Sequence, residues 1–204
     1  PRAISAAVAV ACLVAHLAVR TVQTVDEERA ALRAAASAAL EAEIALANGR
    51  EATPPRFSSA LLLLDPLWEA PTWEVLRTIV IEARRQQPAH PIIGPSDGFA
   101  PASVATAIYL ALRRPSFEEA VVEAINLGGD AAATGAMAGA LAGVRWGAAA
   151  IPQRWLNGLA NVDGIIARAD ALVGGGSKGS AGTEDLLSAE RRLSLAQQRV
   201  REAW

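Results

Sequence analysis

Prolines and glycines cut this chain into alanine-rich segments of helical length, and that punctuation constrains its fold more than any other feature. Proline lacks a backbone donor and clashes with the preceding turn, so Pro54, Pro55, Pro66 and Pro71 forbid one continuous helix across residues 50–71. Between such breaks alanine dominates, and alanine is the best helix former. Hydrophobic residues make up 52% of the chain but aromatic residues only 4%. That balance favours closely packed helices over sheets rich in valine, isoleucine and tyrosine. The expected fold class is all-α, and 204 residues are enough for a substantial core.

Pro1 fits a first helical turn, and the Ala/Val/Leu series after it predicts a long, largely buried helix to about Arg20. Asp26 signals a second helix running to about Ala47, where Asn48-Gly49 supplies a stop. A short helix is expected at about Ser58 to Leu64. Another starts at Pro71 or Thr72, shows an apolar face of Val75, Leu76, Ile79, Val80 and Ala83, and ends before Pro88. Helices follow from about Pro101 to Leu112, Ser116 to Ile125 and Asp130 to Trp146, then a short one from Ile151-Pro152 through Trp155 and one from Val162 to Val173. Ser116-Phe-Glu-Glu119 has the spacing of a capping box. Gly135, Gly139 and Gly143 recur every four residues and place small surfaces on roughly one helical face, a spacing device for close packing.

The predicted organisation is a helical region over residues 1–173, a glycine-rich linker over 174–182 and an amphipathic helical tail over 183–204. In the tail, Leu186, Ala189, Leu193, Ala196, Val200 and Ala203 form a short heptad-like seam suited to docking on the main body or on a partner.

A net charge of -2 and a pI near 5.8 argue against nucleic-acid binding as the main activity. The single cysteine, Cys12, lies in an apolar run and reads as a buried, inert thiol. It excludes an intrachain disulfide and fits a reducing, cytoplasmic setting. Ala3 to Val19 is apolar, but it is shorter than the roughly 20 residues a membrane span needs, contains His16 and is dominated by alanine. A core helix is the expectation there, with no membrane partner. The segment lacks the order of a signal peptide, and the start at Pro1 without Met fits a processed, split or truncated product.

The segment carrying chemistry is Asn126-Leu-Gly-Gly-Asp130-Ala-Ala-Ala. Two glycines permit a sharp turn or a close approach to a ligand. Asp130 serves either as a helix N-cap or as a cation ligand, and Asn126 as a turn or ligand residue. Hard cations take several oxygen ligands, yet residues 131–133 are all alanine. The loop Pro88 to Gly98 holds three prolines and two glycines in eleven residues, and is either a rigid connection or a pocket wall. His90 within it has no neighbouring carboxylate or nucleophile in sequence and is assigned no acid–base role.

Asn126-Leu-Gly-Gly-Asp130, the later Gly135-Ala and Ile151-Pro-Gln-Arg-Trp155 resemble the C-terminal part of the ADP-ribosylglycohydrolase family. So do Pro1-Arg-Ala-Ile4 with the helix after it, Gly98-Phe99 with the Ser103-containing segment, and Ser116-Phe-Glu-Glu-Ala120. The resemblance spans roughly residues 1–173. It implies an orthogonally packed all-α fold, incomplete in this chain, and enzymes that use two Mg²⁺ or Mn²⁺ ions to cleave a glycosidic bond to ADP-ribose. The family motif resembles Gly-Gly-Asp-Thr-Asp-Thr, which places metal ligands at Asp130 and at positions 132 and 133. Here those two are Ala132 and Ala133, and position 102, often acidic in the family, is Ala102.

The family's second ligand cluster, a Thr with paired Asp residues, belongs to an N-terminal portion outside this chain. Glu118-Glu119 does not stand in for it. By the resemblance, Asn126, Gly128 and Gly129 shape a substrate pocket and Phe99 contacts an adenine, although Phe99 is more simply read as a core residue. Trp155 reads as a packing residue and Arg154 as exposed. No catalytic residue is assigned. The expectation is a catalytically degenerate relative with a structural, ligand-binding or partner-binding role. The alternative is the C-terminal portion of an active metal-dependent hydrolase, completed by a missing or separate N-terminal part. Expected partners are that N-terminal portion or further copies of the chain, with an ADP-ribose-related ligand and, for the active alternative only, Mg²⁺ or Mn²⁺.

Overall fold

A computed structural model describes residues 2–47, 57–89 and 91–173, and no strand occurs among them. The helices are α1 (Arg2–Val19), α2 (Val25–Leu46), α3 (Phe57–Leu62), α4 (Thr72–Gln86), α5 (Ala100–Arg113), α6 (Phe117–Asn126), α7 (Ala131–Trp146), α8 (Gln153–Gly158) and α9 (Val162–Val173). A 3₁₀ turn, Ala148–Ala150, follows α7. The chain divides into two compact units, 1–153 and 154–204. The expected stop at Asn48-Gly49, His90, the linker 174–182 and the tail 183–204 lie outside the described residues.

In the first unit α5 is the central helix. Every residue from Pro101 to Leu112 is buried, as expected of a helix that is apolar on all sides. It packs against α7, α6, α4 and α1. Trp68 stands edge-on to Tyr109 of α5, with ring centroids 5.6 Å apart and planes at 87°, a favoured aromatic geometry. Each fully buried leucine of this core, such as Leu13, Leu61, Leu110 and Leu141, contributes on the order of 1.5–3 kcal/mol.

The glycine stripe of α7 performs the predicted spacing role. A Cβ on Gly135 would lie 2.9 Å from Ile125 Cγ1, one on Gly139 3.5 Å from Val121, and one on Gly143 3.8 Å from Phe117. Phe117, Val121 and Ile125 are spaced four apart on α6, so its ridge seats directly on the α7 backbone.

Three expectations need correction. The cap of α2 is Thr24, whose side chain accepts from the Glu27 N–H while the Glu27 carboxylate accepts from the Thr24 N–H. Asp26 lies inside the first turn, because the box requires Glu three residues after its cap. α1 is also not largely buried. Only Ser5, Ala6, Ala9, Leu13 and Leu17 are enclosed, on the face toward α2, whereas Ile4 and Val19 are 51% and 80% exposed. α1 is long and apolar enough to cross a membrane by length and composition, and 28% of it is buried. Cys12 is likewise half-buried, its Sγ 3.7 Å from the Ala34 carbonyl.

A buried ionic cluster ties α2, α5 and α7 together. The Glu28 carboxylate accepts from Trp68 Nε1 at 2.9 Å, Arg145 Nη2 at 3.0 Å and Arg113 Nη1 at 3.4 Å. Arg145 also donates to the carbonyls of Val22, Ala111 and Leu112, satisfying orphan acceptors near the C-terminus of α5.

Candidate functional site

The glycine turn joins α6 to α7. Gly128 and Gly129 have φ of 71° and 60°, the left-handed region that glycine enters without a Cβ penalty. At Gly129 space is a second requirement, since a Cβ there would run into the Ser96 carbonyl oxygen. That close approach lets the next N–H, of Asp130, donate to Ser96 O at 2.5 Å.

Asp130 is the N-cap of α7, its Oδ1 accepting from the Ala133 N–H at 3.3 Å. A Cβ on Gly98 would lie 3.4 Å from its other oxygen, so the carboxylate stands against the loop backbone at Gly98.

Residues 91–98 thus stand as a wall beside the turn. Side-chain bonds hold it there and fold it. Ser96 Oγ donates to Thr134 Oγ1 at 2.9 Å in a buried pair, and Thr106 Oγ1 donates to the Pro95 carbonyl at 2.8 Å. The Gly98 N–H donates to Ser103 Oγ at 2.9 Å, and the Ile93 N–H donates to Asp97 Oδ2 at 2.9 Å. Asp97 is the second carboxylate of this region, and its oxygen is committed to folding the loop.

Gly128, Gly129 and Asp130 are therefore brought together with Ser96 and Gly98, and all three are exposed. Phe99 follows at the N-cap of α5. It is half-buried, and the Arg2 guanidinium lies 5.9 Å from its ring centroid, so it is no core residue. Asn126 is exposed at the end of α6. It lines an open groove of about 530 Å³ with Ser116, Glu118, Glu119, Val122 and Glu123, which none of Phe99, Gly128, Gly129 or Asp130 lines. Glu123 in that groove is paired with Arg114, which also donates to Thr72 Oγ1 at 2.7 Å. Burial pushes the Arg114 guanidinium down, but the Glu123 hydrogen bond and charge outweigh it and hold Arg114 above its ordinary value. Ser116 caps α6 as expected, accepting from the Glu119 N–H at 3.1 Å, which fits Glu119 to the helix start rather than to a metal.

Sequence reasoning missed Ser96, Ser103, Thr106 and Thr134, the residues that fix the wall. Their partners lie up to 38 residues away in the chain, and no local pattern marks them.

The donors present do not fit a pair of divalent cations. Two ions about 3.5–4 Å apart need several converging oxygen ligands. The turn offers one carboxylate, already capping a helix, beside the exposed methyls of Ala132 and Ala133. Among the described residues no group of three or more His, Cys, Asp or Glu could hold a metal ion.

No curated protein and no solved structure matches the chain. The family model for ADP-ribosylglycohydrolase matches residues 1–181. That match spans most of the chain and includes the Gly-Gly-Asp turn with the wall that packs on it, so the chain belongs to the ADP-ribosylglycohydrolase family.

Proposed function

We propose that this protein is a catalytically degenerate member of its family, kept for binding an ADP-ribose-related ligand or a partner. The carrying observation is the state of Asp130. Its carboxylate caps α7 through the Ala133 N–H at 3.3 Å, and the two positions where the family pattern places further ligands are Ala132 and Ala133. A methyl group can neither ligate a cation nor orient a water. The turn still presents backbone atoms of Gly128 and Gly129 to solvent, which is what supports ligand binding without chemistry.

Calorimetric titration of the 204-residue chain with ADP-ribose, with and without Mn²⁺, tests this. Heat of binding that is the same in both titrations supports the proposal. Binding that appears only with Mn²⁺ overturns it.

A second reading, the C-terminal portion of an active hydrolase completed by an N-terminal part, is favoured by α1. Its outward face carries Ile4, Val8 and Val19, at 51%, 37% and 80% exposure, a surface that further protein would cover. A Thr-Asp-Asp segment in the coding sequence before Pro1, together with Mn²⁺-dependent ADP-ribose release by the joined protein, would establish that reading. Its absence removes it.

A further inference from the structure

Trp73, in the first turn of α4, is 64% exposed. An indole left in water is a large apolar anchor, since its burial removes about 150–250 Å² from solvent. Arg77, Ile81 and Arg84 follow at helical spacing on the same side of α4, and all three are exposed. Tryptophan beside arginine is the composition of an interface centre rather than of an ordinary solvated surface.

The open groove on α6 adjoins this knob. Glu118, Glu119, Val122 and Glu123 are among its lining residues, and its volume of about 530 Å³ has room for an indole ring. Arg114 connects the two features, because it pairs with Glu123 in the groove and donates at 2.7 Å to Oγ1 of Thr72, the residue before Trp73. Knob and groove are therefore surface neighbours within the first compact unit.

That adjacency favours a second copy of the chain over an unrelated partner. In a two-fold interface one patch meets itself, so a knob seated in a groove is matched by the reverse contact, and each is used twice. An unrelated partner needs no groove beside the knob. Charge agrees with the exchange. The knob side of α4 presents Arg77 and Arg84, whereas its Glu82 is buried against Arg85; the groove presents Glu118 and Glu119. Seating one on the other sets cations against carboxylates. We propose that two copies of the chain associate about a two-fold axis, the Trp73 indole of each entering the α6 groove of the other, with Arg77 facing Glu119. This interface stands independently of how the glycine turn is read.

Sedimentation equilibrium of the 204-residue chain tests this. Over about 1–200 μM, where interfaces of standard size begin to hold, a dimer that dissociates on dilution is expected. Trp73→Ala should weaken that dimer by about thirtyfold, with an unchanged circular dichroism spectrum. Arg77→Glu and Glu119→Arg should each weaken it, and the double variant should recover part of the loss. A monomer at every concentration would overturn the proposal. So would a dimer that Trp73→Ala leaves intact, because the interface would then lie on another face. Species that grow past the dimer would refute the two-fold axis in favour of an open head-to-tail contact. No recovery in the double variant would refute the facing of Arg77 and Glu119.

Discussion

Alanine at Gly129 should destabilise the protein distinctly more than alanine at the adjacent Gly128. Both residues sit at positive φ, 60° and 71°, and forcing an L side chain there costs on the order of 1–2 kcal/mol. At Gly128 nothing lies within 4 Å of the added Cβ, so conformational strain is the whole penalty. At Gly129 the Cβ meets the Ser96 carbonyl oxygen, a backbone atom that cannot rotate aside. The turn or the wall must shift, which breaks the 2.5 Å bond from the Asp130 N–H to Ser96. A net hydrogen bond is worth about 0.5–1.5 kcal/mol, so Gly129→Ala should cost ~1.5–3.5 kcal/mol against ~1–2 for Gly128→Ala. With a urea m-value of roughly 1–3 kcal/mol/M, the two midpoints should separate by about 0.2–1.5 M. Urea denaturation of both variants reads the difference, and exchange of the Asp130 amide locates it. Coincident midpoints with an unchanged Asp130 amide would refute the claim that Gly129 seats the turn on the wall.

Arg145→Met should cost about 3–5 kcal/mol, because it strips the buried Glu28 carboxylate of one partner and leaves three backbone carbonyls without their donor. Thermal unfolding checks this, and a loss below about 1 kcal/mol would make the cluster incidental. Gly135→Ala should destabilise more than Gly143→Ala, since the new methyl lies 2.9 Å from Ile125 in the first case and 3.8 Å from Phe117 in the second; equal chemical-denaturation midpoints would count against ridge seating. Asp65 is held below its ordinary carboxyl value by the Arg29 hydrogen bond, against the opposing effect of burial and with further help from Arg33. A depressed folded pKa means the unfolded chain binds the proton first, so this stabilisation is present above about pH 4 and lost as pH falls. Asp65→Asn should therefore lose less stability than the parent between pH 5 and about pH 3, by under ~1 kcal/mol for so exposed a pair. A parallel decline of both proteins would remove the pair from the balance.

Helix boundaries were legible wherever a breaker or a cap speaks locally. Val162 to Val173 coincides with α9, and the end predicted before Pro88 is met at Gln86. The start of α2 shows the limit, since Thr24 and Asp26 are both good caps and only the reciprocal bond with Glu27 decides between them. α1 was legible as a helix but not in its burial. An alanine-rich helix without a polar face does not declare which side faces out. At the site, the N-cap was one of the two roles that the sequence offered for Asp130. The wall does not follow from sequence, because Ser96 and Thr134 meet only once α5, α6 and α7 have packed. Arg145 is similarly silent, its Glu28 partner lying 117 residues away.

On the proposed reading, the family turn survives here without the ligands its chemistry needs. ADP-ribose release from an ADP-ribosylated substrate, assayed with the 204-residue chain in excess Mn²⁺ or Mg²⁺, tests it most directly. Release no faster than the uncatalysed background is expected. Metal-dependent release that Asp130→Ala abolishes would contradict it.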